Sequence, residues 1–172
     1  MRVIVVLSMV LAAWRWSDWR NWRNYYPTVL FMITLALIEG CITANHKLWM
    51  MVNSPFTTIS LLNGLFVTFT AFPAMVLLYL SHYPKRKFNK VCYMILWALF
   101  YSMIEYGMGI LGFFVYANGW SLVWSAIFNS FMFPILRIHH KNPLLAWLCS
   151  VIMFFFIWFH FGFSLEILKD KP

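Results

Sequence analysis

Residues 91–116 read VCYMILWALFYSMIEYGMGILGFFVY, twenty-six positions that carry one charge, Glu105. A helix crosses the hydrocarbon core with about 20 mostly apolar residues, so this run is long enough to span a bilayer. Working outward, residues 27–46, 57–81, 120–137 and 143–164 form four comparable runs, and residues 3–14 form a shorter one. The chain of 172 residues is 63% hydrophobic and 10% charged. Soluble domains carry about 25% charged residues, so there are too few charges here to cover a water-facing surface. The expected fold is all-α, a polytopic transmembrane helix bundle forming one integral membrane domain over residues 1–172. It has five full spans and a short N-terminal helix that continues into an interfacial aromatic and basic segment.

Polar punctuation supports these boundaries. "YYPT", "NSPFTT" and "KNPL" each place a proline or polar turn where a helix starts. Pro73 and Pro134 fall inside spans and should kink them, which lipid-embedded helices tolerate when neighbours satisfy the freed backbone. Residues 3–14 have the length of a signal peptide core. They lack a convincing small-x-small cleavage site, and the expectation is an uncleaved first helix.

The formal charge of +8 resolves into topology. Arg15, Arg20, Arg23, Lys85, Arg86, Lys87, Lys90, Arg137 and Lys141 fall in alternate loops, which places nine of the 13 Lys and Arg residues on one side. Arg2, Lys47, Lys169 and Lys171 fall on the other. The positive-inside rule then puts the nine in the cytoplasm and both termini outside. The lipid bilayer and its anionic headgroups become the expected partners, and the charge requires no nucleic acid.

Residues 14–28, WRWSDWRNWRNYYPT, raise the same question locally, because arginines among aromatics can serve stacked bases or a membrane interface. As a continuous helix, Trp16, Trp19, Trp22 and Tyr26 share one face, opposite Asp18, Arg20, Asn21 and Asn24. Trp16–Arg20 and Trp19–Arg23 become cation–π pairs four residues apart. An aromatic face beside a basic one suits the headgroup layer, and a base-stacking platform needs an aqueous groove that this chain does not build.

Polar groups inside spans usually face the bundle interior. Glu39, Asn63 and Glu105 come out about 10 Å below the outer surface at 1.5 Å per residue, with His160 shallower and Asn129 near the midplane. Glu39, Thr43 and His46 form one helical stripe, and Ser121, Ser125 and Asn129 a second. Tyr101 lies one turn below Glu105, and Gly40, Gly64, Gly107 and Gly109 would let the helices approach. The result is a polar cluster opening to the extracytoplasmic side. It serves either as interhelical glue or as a site for a small solute, ion or lipid. Glu39, His46, Glu105 and His160 have metal-ligand chemistry but no tight spacing such as HxxxH, so no metal or other cofactor is expected.

At the other end, "LRIHHKNP" gathers Arg137, His139, His140 and Lys141 near His82 and "PKRK". With Arg20, Arg23, Lys85, Arg86 and Lys87 they are candidate headgroup contacts, beside their plain role as the topology signal. Cys41, Cys92 and Cys149 each sit in an apolar run and read as small buried hydrophobes. No P-loop, nucleophile elbow or HExxH motif is present.

Taken together, "WRNYYPT", "NHKLW", "LWALFYSMIEY", "NGWSLVWS" and "MFPILRIHHKNPLLAW" resemble an uncharacterised family of small multi-pass membrane proteins of endospore-forming bacteria. The resemblance implies six helices and the bacterial plasma membrane, and it transfers no functional residues. The expected role is non-enzymatic: binding at the polar cluster, or accessory work in the envelope as a homo-oligomer or with a membrane protein partner. One alternative is an ion- or proton-coupled transporter using Glu39 and Glu105, which would need to dimerise because no internal repeat is visible. A second is a lipid-modifying enzyme drawing on the acid and histidine groups.

Overall fold

A computed structural model describes residues 2–51 and 60–163. The helices are α1 (Arg2–Trp16), α2 (Trp22–Ile42), α3 (Ser60–Ser81), α4 (Lys87–Ile110), α5 (Leu122–Lys141) and α6 (Pro143–His160), with short strands β1 (Trp49–Met51) and β2 (Phe114–Tyr116). Residues 19–42, 64–81, 87–110, 122–141 and 143–160 are long and apolar enough to cross a membrane. This is the architecture of a multi-pass, all-α membrane protein. With 15 residues, α1 is about 22 Å long, short of the roughly 30 Å core. It buries Met9 and Ala13 in the bundle and leaves Ile4, Leu7 and Leu11 outward.

The aromatic segment departs from a continuous helix. α1 stops at Trp16, and residues Trp19–Asn21 form a single 3-10 turn before α2 begins. Helix ends leave carbonyls unpaired, and here the Trp19 indole N–H donates to the carbonyls of Ala13 (2.8 Å) and Trp14 (3.1 Å). Asn21 Nδ2 bonds Asp18 Oδ2 at 2.8 Å and holds the turn. The expected Trp16–Arg20 and Trp19–Arg23 pairs therefore do not form; the Arg23 guanidinium lies 6.0 Å from the Trp22 ring instead. Trp14, Trp16, Trp19, Trp22 and Tyr26 remain exposed at the basic end. α2 also starts five residues before Pro27, which sits inside the helix.

α3 packs against α1 and α2, while α5 packs against α2, α4 and α6. α3 stands further from α4 and α5 than the directly packed pairs do, and large rings fill the space between. Tyr79 and Phe133 are fully buried, 5.1 Å apart between centroids. Tyr93 stacks on Tyr79 at 5.5 Å, and Trp97 lies 5.8 Å from Tyr79 and 5.6 Å from Phe133. The hydroxyls complete the join. Tyr79 Oη donates to the carbonyl of Phe133 (2.9 Å), and Tyr93 Oη donates to the carbonyl of Tyr79 (3.0 Å). Tyr79 lies in the last turn of α3, whose carbonyls have no partner within the helix.

Opposite the basic loops, the run 91–116 does not stay helical to its end. Gly112, at φ +70°, stops α4 with a Schellman cap: Phe113 N–H donates to Met108 O (2.9 Å) and Gly112 N–H to Gly109 O (3.0 Å). The chain then enters β2, antiparallel to β1, with Trp49 opposite Tyr116 and Met51 opposite Phe114. α6 ends the same way. Gly162 is at φ +66°, Phe163 N–H donates to Trp158 O at 3.1 Å, and the Phe163 and Trp158 rings stack at 5.2 Å. Leu48, Trp120, Phe161 and Phe163 form a small second core beneath this cap.

Membrane-buried interhelical hydrogen bonds average about 0.6 kcal/mol and reach about 1.7, whereas emptying a buried aromatic site costs about 3–5 kcal/mol. Tyr79→Phe is therefore expected to lose under about 2 kcal/mol of unfolding free energy, and Phe133→Ala at least about 3. Denaturant titration in mixed micelles measures both, and equal losses would show that the hydroxyl, not the packing, holds α3 to α5.

Candidate functional site

The polar groups expected to form one cluster occupy separate seams. On the α4–α5 seam, Glu105 accepts a 2.7 Å hydrogen bond from Tyr116 Oη of β2. Ser125 neighbours both groups and accepts from Trp120 Nε1 at 2.8 Å. One turn deeper, Asn129 Nδ2 donates to Ser102 Oγ at 3.4 Å, and Ser102 itself donates to Ala98 O at 2.9 Å. Burial is the main force that pushes the Tyr116 hydroxyl up from its ordinary range, and the adjacent carboxylate adds to it. Tyr116 is thus a fixed donor to Glu105.

Glu39 lies in the last turn of α2 and Thr43 just past its end, where Thr43 Oγ1 donates to Glu39 Oε1 at 3.3 Å. No hydrogen bond joins Glu39 to Glu105. His46, in the turn after α2, stands edge-on to Phe163 at 4.8 Å, and its buried Nε2 has no partner among the described residues. His160 lies exposed at the end of α6, 4.4 Å from Trp124 and stacked on Phe156 at 5.7 Å. Tyr101 joins the aromatic core, 5.5 Å from Phe133. Asn63 lies on α3, but its side chain is outside the described residues. A Cβ added to Gly40, Gly64, Gly107 or Gly109 would meet nothing within 4 Å, so these glycines do not bring helices together as expected. Among the described residues, no three His, Cys, Asp or Glu side chains converge on a metal-sized site.

Three partners of the Glu105 seam were not singled out by sequence reasoning: Tyr116, Trp120 and Ser102. Ser102 had a signal, since Ala98, Ser102 and Glu105 follow the i, i+4, i+7 spacing of one helical stripe. Tyr116 had none, because its approach depends on the turn at Gly112 and on pairing with a strand some 65 residues away.

At the basic end, His139 corrects an expectation. It is buried, sharing a 3.0 Å hydrogen bond with Thr28 Oγ1 through Nδ1 and stacking on Phe31 at 4.1 Å. An imidazole so enclosed cannot reach headgroups; it ties α5 to α2. His140 stacks on Tyr25 at 5.6 Å. The Arg137 guanidinium lies 4.3 Å from the Tyr83 ring centroid. Arg20, Arg23, Lys85, Arg86, Lys87 and Lys141 are exposed.

Comparison with protein-family models, curated proteins and solved structures finds no match.

Replacing His139 with alanine leaves Thr28 unpaired and opens a space beside Phe31. The variant is expected to unfold with about 2–4 kcal/mol less stability while retaining wild-type affinity for anionic vesicles. Unfolding titrations and vesicle flotation measure the two, and the reverse pattern would return His139 to the headgroup layer.

Proposed function

We propose that this protein is a non-enzymatic component of a bacterial plasma membrane, acting as a small-molecule-binding accessory of the envelope, with its basic end in the cytoplasm. The charge distribution supports that orientation, and the family resemblance supports the choice of membrane. The proposed binding site is the Glu105 carboxylate on the opposite side. One observation carries this reading: Glu105 is half-buried beneath the cap, and its neighbours are the hydroxyls of Tyr116 and Ser125 rather than a cation. A carboxylate inside a membrane protein is costly to retain without a partner. Its oxygen-rich surroundings suit a small cation or an amine-bearing solute, since hard oxygen donors favour such groups over soft metals.

Binding is better supported than transport. A coupled transporter built on Glu39 and Glu105 needs the two carboxylates to share a path, yet each is bonded to a partner of its own, Thr43 and Tyr116.

The test is thermal unfolding of the purified protein in neutral detergent, in sodium, potassium or methylammonium chloride at constant ionic strength, with choline chloride as reference. A ligand at about 100 times its Kd adds about 2.7 kcal/mol, which for a chain of this size raises Tm by about 5–10 °C. At least one of the three cations is expected to do so in the wild type. Glu105→Gln keeps an acceptor for Tyr116 and so retains the fold, but loses the increase. No increase in the wild type, or an equal one in the variant, refutes the site.

A further inference from the structure

The basic end holds a groove that neither the charge pattern nor the Glu105 site explains. It has a volume of about 290 Å³ and lies where the end of α3, the start of α4, the end of α5 and the start of α6 meet. Lys90, Arg137 and Lys141 supply three positive charges, and no acidic residue is among the groups that line it. Arg137 is placed rather than free: its guanidinium rests on the Tyr83 ring at 4.3 Å. The Tyr83 hydroxyl turns away towards Met94 Sδ at 3.8 Å, leaving the ring face to the cation. A planar guanidinium held in this way presents a preformed fork of donors to phosphate oxygens.

Of the remaining lining residues, Ile138 and Leu145 are apolar and Asn142 is polar. Leu145 begins a stripe that runs down the outside of α6 through Leu148, Ile152, Phe155 and Phe159, all exposed. A free anion has no use for such a stripe, whereas an acyl chain attached to a phosphate does. The volume also falls just under the range of about 300–1,000 Å³ typical of pockets that enclose whole small molecules, so it suits a headgroup whose tails stay outside.

We infer that this groove is a specific site for one anionic glycerophospholipid, its phosphodiester held by Arg137, Lys90 and Lys141 and its acyl chains laid along the Leu145–Phe159 stripe of α6. The site is distinct from a diffuse attraction between a basic surface and anionic lipid, because it depends on particular charges and not on their number. It is also independent of the Glu105 reading, at the other end of the bundle.

The experiment titrates purified protein in neutral-detergent micelles with dioleoyl-phosphatidylglycerol, dioleoyl-phosphatidylcholine or sodium phosphate, reading Tm. Phosphatidylglycerol is expected to stabilise the wild type saturably, and the other two are expected not to. Lys90→Gln and Lys141→Gln, on exposed or half-exposed positions, should each raise the half-saturating lipid concentration at least about fivefold. Arg137→Lys keeps the charge but loses the fork, and should weaken binding at least as much. Arg15→Gln removes the same single charge outside the groove and should leave the midpoint unchanged. If Arg15→Gln weakens binding as much as the groove variants, the attraction is diffuse and the site is refuted. Equal stabilisation by phosphatidylcholine would reduce the groove to an apolar contact, and equal stabilisation by sodium phosphate would make the occupant a free anion; either overturns the lipid assignment.

Discussion

The bundle depends on how α3 ends. A helix end leaves its last carbonyls without partners inside the helix, and at the end of α3 the protein supplies them. In α3 the carbonyl of Leu77 is taken by the Ser81 hydroxyl, Leu78 by His82 Nδ1, Tyr79 by the Tyr93 hydroxyl and Leu80 by the Tyr83 N–H. The Tyr93 bond comes from α4, and Tyr79 in turn donates to the carbonyl preceding Pro134 in α5. One residue therefore caps, spaces and cross-links three helices. Rings from Tyr79, Tyr93, Trp97 and Phe133 bridge the gap between them, beside buried aliphatics such as Leu77, Leu80 and Leu136.

From that joint the two ends of the molecule diverge. At the basic end, polar side chains turn inwards in pairs with aromatics, His139 on Phe31 and Arg137 on Tyr83, so charge and packing share the same residues. At the opposite end, irregular backbone is concentrated in a lid of two short strands and two glycine-capped helix ends. Glu105 is joined to this lid through the Tyr116 hydroxyl.

Much of the fold was legible in the chain. Six helices follow from the lengths of apolar runs, and the basic residues of alternate loops mark one end, where Arg137 meets Tyr83 and His140 meets Tyr25. The misreadings share one cause: a periodic pattern reports a helix face but not where the helix stops. The break after Trp16 depends on an indole reaching back to two carbonyls, and the stop at Gly112 depends on a residue that reads equally well as a mid-span glycine. Its twin at Gly162 shows that the signal lay in the recurring Gly-Phe pair, a left-handed glycine followed by a backbone N–H that reaches back to the last turn. For the candidate site, the direction of each side chain was not readable. Counting residues places Glu39 and Glu105 at one height, but neighbouring helices decide which seam each faces. The same holds for His139 and His140, adjacent in sequence and enclosed to different degrees.

The pairing of β1 with β2 has a consequence for the order in which this protein is made. β1 leaves the ribosome before α3 and α4, and its partner follows both. The lid therefore cannot close over any intermediate that contains only the first half of the chain. Tyr116 lies on that second strand, so the donor that holds the Glu105 carboxylate arrives with the closing strand. Until then the carboxylate, already inserted with α4, has to be accommodated by lipid, translocation machinery or water. Closure of the lid and the arrival of the Tyr116 donor are therefore one event, before Ser125 joins the site with α5.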